Sequence, residues 1–331
     1  MPSPQHLLLK QLLAAATPAL ATSRPRLANV RLAAEFSSLL QFMPWNVFLE
    51  DVDVDGMAAE WLRPAQADNS RALLYLHGGG YVLGSLNTHR SLIGTLAQRC
   101  GLPAFTIDYR KAPEYPFPAA LEDALVAYRW LRGQGYPAEN IIVAGDSAGG
   151  GLALALALSL REAGEAQPAA IIGLSPWTDL VLPERVLREV CQEETQLLEA
   201  LQIRDWGTHY AGATPLTHPL VSPGQAELHG LPPLLIQLSD AEVLCDDGLN
   251  FVEKARRAGV PVTLQAFQGL VHWWHLFWRV LPEARQALDD AAGFVRGIWA
   301  AQAAAGATLQ AARRTASRRG AAQLGRMRAQ S

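Results

Sequence analysis

Residues 141–149 read Ile141-Ile-Val-Ala-Gly-Asp-Ser-Ala-Gly149 and are the most informative part of the sequence. Its apolar first half predicts a short buried strand, and the G-x-S-x-G pattern that follows is typical of a sharp turn into a helix. In such an elbow Ser147 lies at the end of the strand with its hydroxyl exposed, and flanking glycines avoid the crowding that a side chain would cause. Ala148 opens the helix, so its N–H group lacks an intrahelical partner and can bind an oxyanion.

A second glycine motif, His77-Gly-Gly-Gly80, follows the apolar run 72–76 and leads into an aromatic residue. Three consecutive glycines are costly to order, because glycine loses more backbone freedom than any other residue. A flexible turn is the simplest interpretation, but the position after a hydrophobic strand favours a rigid loop with accessible N–H groups. Motifs of this type predict that Gly79 and Gly80 donate to an oxyanion together with Ala148.

A serine nucleophile needs a general base and an orienting acid. Of the eight histidines, His272 is our candidate for the base. It follows the strand-like run 262–267 and the breaker Gly269, so it is predicted to lie on a loop. His275 falls three residues later in an aromatic segment and is predicted to be a packed core residue.

The acid is expected after another strand, and the apolar run 234–238 is that strand. Four acidic residues follow it. Asp246 and Asp247 precede a helix and fit the role of N-terminal caps. The pattern of residues leaves Asp240 and Glu242 open as candidates for the acid.

Four blocks of the sequence together resemble the hormone-sensitive-lipase-like esterases, a branch of the α/β-hydrolase superfamily. They are 77–84, 108–123, 145–150 and 242–272. The blocks stand in the family's order and at its usual separations, and the order serine, acid, histidine is the one expected for this superfamily. The resemblance covers about residues 72 to 298, and its long 108–123 block is the most specific part.

The resemblance also bears on the acid and on the pocket. The family's acid block reads D-P-L-x-D-E/D-G, and counting back from Gly248 places its first residue on Glu242. Glutamate thus stands where most relatives have aspartate, and Asp240 is the reserve. Trp273 and Trp274 stand where relatives usually have Gly-Phe, which implies a narrowed or reshaped pocket.

The activity that the resemblance implies is that of a serine carboxylesterase acting on short- to medium-chain acyl esters through an acyl-enzyme. Ser147 would be the nucleophile, His272 the base and Glu242 the residue that orients it. Asp146 is assigned a structural role beside the elbow. Alternatives are a lactone hydrolase or amide-cleaving relative with the same machinery, and a small-molecule-binding protein on a hydrolase scaffold.

Short apolar runs alternate with longer helical stretches, which predicts an α/β-hydrolase fold: a mostly parallel central sheet with helices on both faces. Residues 50–62 are expected to add antiparallel edge strands. The predicted strands are 73–76, 103–107, 141–144, 170–174, 234–238 and 262–267. The predicted helices are 88–99, 118–132, 148–163, 247–258 and 282–300.

We expect a helical cap from residues 1–48 and from a second segment, 177–225, which interrupts the catalytic domain 49–300. Both stretches are equally compatible with helices that simply cover the sheet. Five residues are predicted to line the substrate pocket: Leu83, Trp206, Tyr210, Trp273 and Trp274.

The last segment, 301–331, is rich in Ala and carries six arginines but no acidic residue. We expect it to be a flexible tail, and we predict no nucleic-acid binding. The sequence contains no metal-ligand pattern, so no metal, cofactor or disulfide is expected from Cys100, Cys191 and Cys245. Without a long apolar run or a clear leader, we predict a cytoplasmic protein with no integral membrane association. The substrate is expected to be a small ester, and a homodimer is left open.

Overall fold

A computed structural model describes residues 2–23, 26–39, 41–181 and 203–328. An eight-stranded sheet with the order β1-β2-β4-β3-β5-β6-β7-β8 forms its centre. β1 and β2 are antiparallel to each other, β2 is antiparallel to β4, and the remaining neighbours are parallel. The strands are β1 Val47–Val54, β2 Met57–Pro64, β3 Ala72–Leu76, β4 Ala104–Ile107, β5 Ile141–Asp146, β6 Ala170–Leu174, β7 Leu234–Ser239 and β8 Val262–Phe267.

The helices follow the strands in the alternation that the sequence predicts. The described part of the chain contains α1 Pro4–Ser23, α2 Leu27–Ser38, α3 Leu86–Cys100, α4 Ala119–Gly133, α5 Ala148–Glu162, α6 Ile203–Ala211, α7 Cys245–Arg257 and α8 Pro282–Arg328. Short 3-10 helices cover Ala138–Asn140, Pro223–Gln225 and Trp274–Phe277. The predicted α/β-hydrolase architecture, with a mostly parallel sheet and antiparallel edge strands, is therefore confirmed.

Side chains from the two faces of the sheet form two separate cores, because successive residues of a strand point to opposite faces. On β3, Leu74 packs into the core that also contains residues of α4, α5 and α7. Its neighbours Leu73 and Tyr75 pack into the core built with α3 and α8. Every residue of β3, β5 and β6 is buried, as is usual for parallel strands covered by helices on both sides.

The last helix differs from the prediction. α8 continues through Arg328, whereas the sequence predicted its end at residue 300; the flexibility of the tail stays a prediction. Alanine has the highest helix propensity of any residue, so the Ala-rich composition favours continuation of the helix more than it favours an end.

The predicted cap is only partly within the described residues. α1 and α2 occupy the N-terminal cap stretch, α6 lies in the second one, and residues 182–202 lie outside the described residues. Cys191 is among those outside, while Cys100 and Cys245 are free. Among the described helices none is long and apolar enough to span a membrane, and the described residues contain no acidic, His or Cys cluster suited to a metal ion.

Candidate active site

The elbow at Ser147 is a strained turn between β5 and α5. Ser147 has φ 50° and ψ −121°, a backbone conformation that residues other than glycine rarely adopt. Hydrogen bonds on both sides hold it there. Its N–H donates to the Leu174 carbonyl at 2.9 Å, and its carbonyl accepts from Gly151 N at 3.1 Å and Trp177 N at 2.8 Å. Hydrogen bonds to the end of β6 and to α5 thus hold the serine in this conformation.

The glycines of G-x-S-x-G are required by close backbone approach. A Cβ on Gly145 would lie 2.3 Å from the Gly149 carbonyl oxygen, and a Cβ on Gly149 would lie 2.0 Å from that of Leu76. Because real Cβ atoms do not approach backbone atoms so closely, alanine at position 145 would push α5 away from β5, and alanine at position 149 would push α5 away from β3. These contacts explain the motif in this chain.

Ser147, His272 and Glu242 form one hydrogen-bonded chain. His272 Nε2 lies 2.8 Å from Ser147 Oγ, and His272 Nδ1 lies 3.0 Å from Glu242 Oε2. A carboxylate cannot donate, so Nδ1 carries the proton and Nε2 is left to accept from the serine hydroxyl. Glu242 is wholly buried, and its other oxygen accepts from Ser239 N at 3.0 Å. The arrangement provides a nucleophile, a base and a fixed acid.

The reserve acid, Asp240, is placed elsewhere. Its side chain is exposed, and its Oδ1 accepts from the N–H of Gly269 at 2.6 Å. The structure therefore brings Glu242, not Asp240, to His272. Asp240 instead helps to hold the loop that carries the histidine.

The glycine loop after β3 presents its amides next to the serine elbow. Gly79 and Gly80 have φ values of 121° and 60°, and the loop closes through a bond from Leu83 N to the Gly79 carbonyl at 2.7 Å. Within the described part of the chain, no hydrogen bond occupies the N–H groups of Gly79, Gly80 or Ala148. All three amides are thus available to a ligand oxygen.

Asp146 ties the elbow to the glycine loop from below. Its Oδ1 accepts from the Tyr75 hydroxyl at 2.8 Å and from Gly78 N at 3.0 Å, and its Oδ2 lies 3.3 Å from His89 Nε2. Burial alone would raise the pKa of Asp146, but His89 and the Tyr75 hydroxyl outweigh burial and lower it to about 2. A buried carboxylate that stays charged is a firm anchor for the loop, as expected for a structural role.

The five predicted pocket residues are placed in different surroundings. Trp206 on α6 packs over the glycine loop, so that a Cβ on Gly80 would lie 2.4 Å from its ring. Trp273 has φ 67° and lines a small cavity with Ser147 and His272. Leu83 closes the glycine loop.

Two of those residues have the surroundings of core residues. Tyr210 is fully buried and stacks on Tyr81 with ring centroids 3.6 Å apart. Trp274 is also fully buried and stacks on His275 at 3.7 Å. His275 itself bonds to Gln237 Oε1 at 3.1 Å, and burial lowers its pKa to about 3. It is a neutral core histidine, in agreement with the sequence interpretation.

One residue of the site was missed by sequence reasoning. Ser175 lines the small cavity beside Ser147, is almost fully buried, and has φ 47°. It comes directly after the last residue of β6. A residue at the carboxyl end of a central parallel strand is a position where ligands bind in open α/β sheets, and that rule could have identified it.

The sheet order, the elbow and the hydrogen-bonded Ser-His-Glu chain define an α/β hydrolase, and a family model for the alpha/beta hydrolase fold matches residues 73–276. An acetyl-hydrolase of Streptomyces hygroscopicus is 45% identical over 245 residues, covering 74% of this chain and 81% of that protein. The crystal structure of EstE5 soaked with p-nitrophenyl butyrate superimposes with a TM-score of 0.82 at 38% identity, covering 90% of this chain and 99% of EstE5.

An esterase of the bacterial hormone-sensitive lipase family is similar to the same degree, with a TM-score of 0.82 and 34% identity over 90% of this chain and 99% of that one. The chain belongs to the hormone-sensitive-lipase-like esterases, as the sequence motifs predicted, and it is a carboxylic ester hydrolase.

Proposed function

We propose that the protein is a serine carboxylesterase that cleaves small esters with short to medium acyl chains through an acyl-enzyme. The observation that carries this proposal is the 2.8 Å separation of His272 Nε2 from Ser147 Oγ. That distance is within reach for direct proton transfer from the serine hydroxyl to the imidazole.

In the first half of the reaction, Ser147 Oγ attacks the ester carbonyl carbon while His272 Nε2 takes its proton. The carbonyl oxygen becomes negative and accepts hydrogen bonds from the N–H groups of Gly79, Gly80 and Ala148. The bond to the alkoxy oxygen then breaks, and the alcohol leaves with the proton from the imidazolium.

In the second half, water attacks the acyl-enzyme. His272 takes a proton from the water as its oxygen bonds to the acyl carbon, and returns that proton to Ser147 Oγ when the carboxylic acid leaves. Glu242 keeps the Nδ1 proton in place throughout and stabilises the positive imidazolium formed in both halves.

The chain-length preference is supported by the surroundings of the glycine loop and by the relatives. The Trp206 ring packs directly over Gly80, and Ser147 is only 7% exposed. One relative is named an acetyl-hydrolase, and EstE5 was soaked with a butyrate ester. A narrow approach to the serine favours small acyl groups.

The test is a kinetic series of p-nitrophenyl esters from acetate to dodecanoate, together with lactones and anilides, for the wild type and Ser147→Ala. We expect kcat/KM to be greatest for acetate or butyrate, and a loss of at least about 10⁴-fold in the variant with its melting temperature retained. Hydrolysis by Ser147→Ala at the wild-type rate would refute the mechanism. A maximum at dodecanoate, or faster lactone or anilide cleavage, would refute the substrate class.

A further inference from the structure

The N-terminal helix touches the loop that carries His272. His6, in the first turn of α1, is fully buried. The N–H of Val271, the residue before His272, donates to His6 Nε2 at 3.1 Å. We propose that His6 is a positioning residue that fixes the ring of His272 through the Val271 amide. This inference rests on the base role proposed for His272 and adds a means by which α1 controls it.

Three consecutive amides before His272 are each held by a side chain from another part of the chain. The bonds are Gly269 N to Asp240 Oδ1 at 2.6 Å, Leu270 N to Ser239 Oγ at 2.8 Å, and Val271 N to His6 Nε2 at 3.1 Å. The first two acceptors are the last residue of β7 and the residue after it, and the loop that begins there also carries Glu242. The third, which is nearest to His272, comes from α1. The histidine loop is therefore fixed between the acid loop and the N-terminal helix.

The start of α1 is itself anchored, so His6 has a firm support. Ser3 N and Ser3 Oγ donate to the two carboxylate oxygens of Glu283, in the first turn of α8, at 2.6 and 2.9 Å. Ser3 Oγ in turn accepts from His6 N at 3.3 Å, as an N-cap serine does. Pro2 packs against Gly269, where a Cβ would lie 2.8 Å from the proline ring.

The contact requires a neutral ring at His6. An imidazole that accepts at Nε2 carries its proton on Nδ1. Burial lowers the pKa of His6, which keeps the ring neutral; Glu283 on α8 raises the pKa and Lys10 on α1 lowers it, both by smaller amounts. A protonated ring would place an N–H against the Val271 N–H and break the contact.

The geometry of His272 makes it sensitive to this contact. Its two ring nitrogens must reach Ser147 Oγ and Glu242 Oε2 together, at 2.8 and 3.0 Å. A displacement of about 1 Å in a catalytic group costs on the order of 10²-fold in rate. The Val271 amide lies one residue upstream, so freeing it lets the His272 backbone move while substrate-binding surfaces stay in place.

The test compares His6→Gln with His6→Asn. The glutamine amide reaches the place of Nε2 and can accept from Val271 N, whereas the asparagine amide reaches only the place of Nδ1. We expect His6→Asn to lower kcat about 10- to 100-fold with KM within about twofold, and His6→Gln to stay within about threefold of wild type. The downfield NMR signal of the His272 Nδ1 proton should persist in His6→Gln and broaden in His6→Asn.

Thr17→Val is the matched control, because Thr17 is buried on the same helix and its hydroxyl donates to the Leu13 carbonyl of that helix at 2.8 Å rather than to the histidine loop. It should leave kcat, KM and the NMR signal unchanged. Equal losses in both His6 variants, or a rise in KM without a fall in kcat, would overturn the positioning role. If the proposed function itself is wrong, the outcome is different. Ser147→Ala would then keep its activity, regardless of the results for the His6 variants.

Discussion

Among single residues, the two candidate acids Asp240 and Glu242 lie two positions apart and have different roles. β7 ends at Ser239, and the chain then turns, so that Asp240 faces solvent while Glu242 returns beneath the sheet edge. Glu242 is wholly buried against His272, and both of its oxygens accept hydrogen bonds. A carboxylate held in this way cannot rotate away from the imidazole.

The first prediction concerns these two carboxylates. We expect Glu242→Gln to lower kcat for p-nitrophenyl butyrate by about 10³- to 10⁴-fold, because an amide no longer stabilises the imidazolium and can hold the wrong tautomer. Asp240→Asn keeps an acceptor for Gly269 N and should cost less than about tenfold. Stopped-flow or steady-state kinetics with melting temperatures would check both. A larger loss in Asp240→Asn would reverse the assignment.

Some residues could be identified from the sequence and others could not, for a physical reason. Ser147 and His272 sit at recognisable ends of strands, so patterns of apolar residues and glycine locate them. The choice of Glu242 required the resemblance, because two acids lay on the same loop. His6 could not be found, since it acts on a backbone amide 265 residues away, and backbone amides leave no signature in the sequence.

Among the elements, the glycine loop between β3 and α3 is the one whose backbone conformation depends most on its residue types. Gly79 and Gly80 adopt positive φ values that other residues rarely take, and α6 packs on Gly80 through Trp206. Helix α6 thus contacts the predicted oxyanion hole. Helix α2 adds a second contact, where Arg31 Nε donates to the Val82 carbonyl at 2.7 Å. Helices α2 and α6 therefore both support this loop.

The second prediction compares two glycines with nearly equal φ values. Gly80→Ala, at φ 60°, places a Cβ 2.4 Å from the Trp206 ring, while Gly101→Ala, at φ 66°, meets nothing within 4 Å. Both substitutions should cost about 1 kcal/mol of unfolding free energy from backbone strain. Only Gly80→Ala should also lower kcat about 10²-fold, since displacing one oxyanion donor has that effect.

Urea denaturation and steady-state kinetics on both glycine variants separate strain from catalysis. Equal activity in the two would mean that the amide of Gly80 does not contribute to the reaction. A fall in kcat for Gly101→Ala would mean that strain alone, at the end of α3, reaches the site.

The elements themselves were largely predictable. Apolar runs fixed the strands to within a few residues, because central parallel strands are buried on both faces and leave little polar sequence. The end of α8 was not predictable in the same way, since a helix beyond the core has no periodic apolar face to mark its length. The sequence also does not distinguish the surroundings of the predicted pocket residues: Trp206 packs over the glycine loop, whereas Trp274 is fully buried in a core.

In the whole molecule, a half-buried acid on α7 links this helix to the segment that follows β6. Asp247 on α7 accepts from Thr178 N at 2.7 Å, Thr178 Oγ1 at 2.5 Å and Asp179 N at 3.2 Å, in the segment after β6. Burial, the largest effect, raises its pKa from 3.8 to about 7, although the three donors oppose it. The Asp247 carboxyl group, which links α7 to this segment, therefore changes its charge near neutral pH.

The last prediction follows from the sign of that shift. A pKa raised on folding means that the folded protein binds more protons than the unfolded chain between about pH 4 and pH 7. The stability contributed by protonated Asp247 is fully present below about pH 4 and is lost as the pH rises through about 7, with a slope of up to about 1.4 kcal/mol per pH unit.

Asp247→Asn mimics the protonated acid at every pH. Its amide can donate to Thr178 Oγ1 while its carbonyl accepts from the backbone, so the stability of the variant relative to wild type should increase from pH 4 to pH 8.

Urea unfolding of both proteins at several pH values measures this difference, and the contributions of the other titrating groups cancel in it. Asp246→Asn, which removes a carboxyl group at the adjacent position in the first turn of α7, is the control for the loss of an acidic side chain there. A flat difference for Asp247→Asn, or a slope of the opposite sign, would show that the carboxylate stays charged in the folded protein and that the three donors outweigh burial.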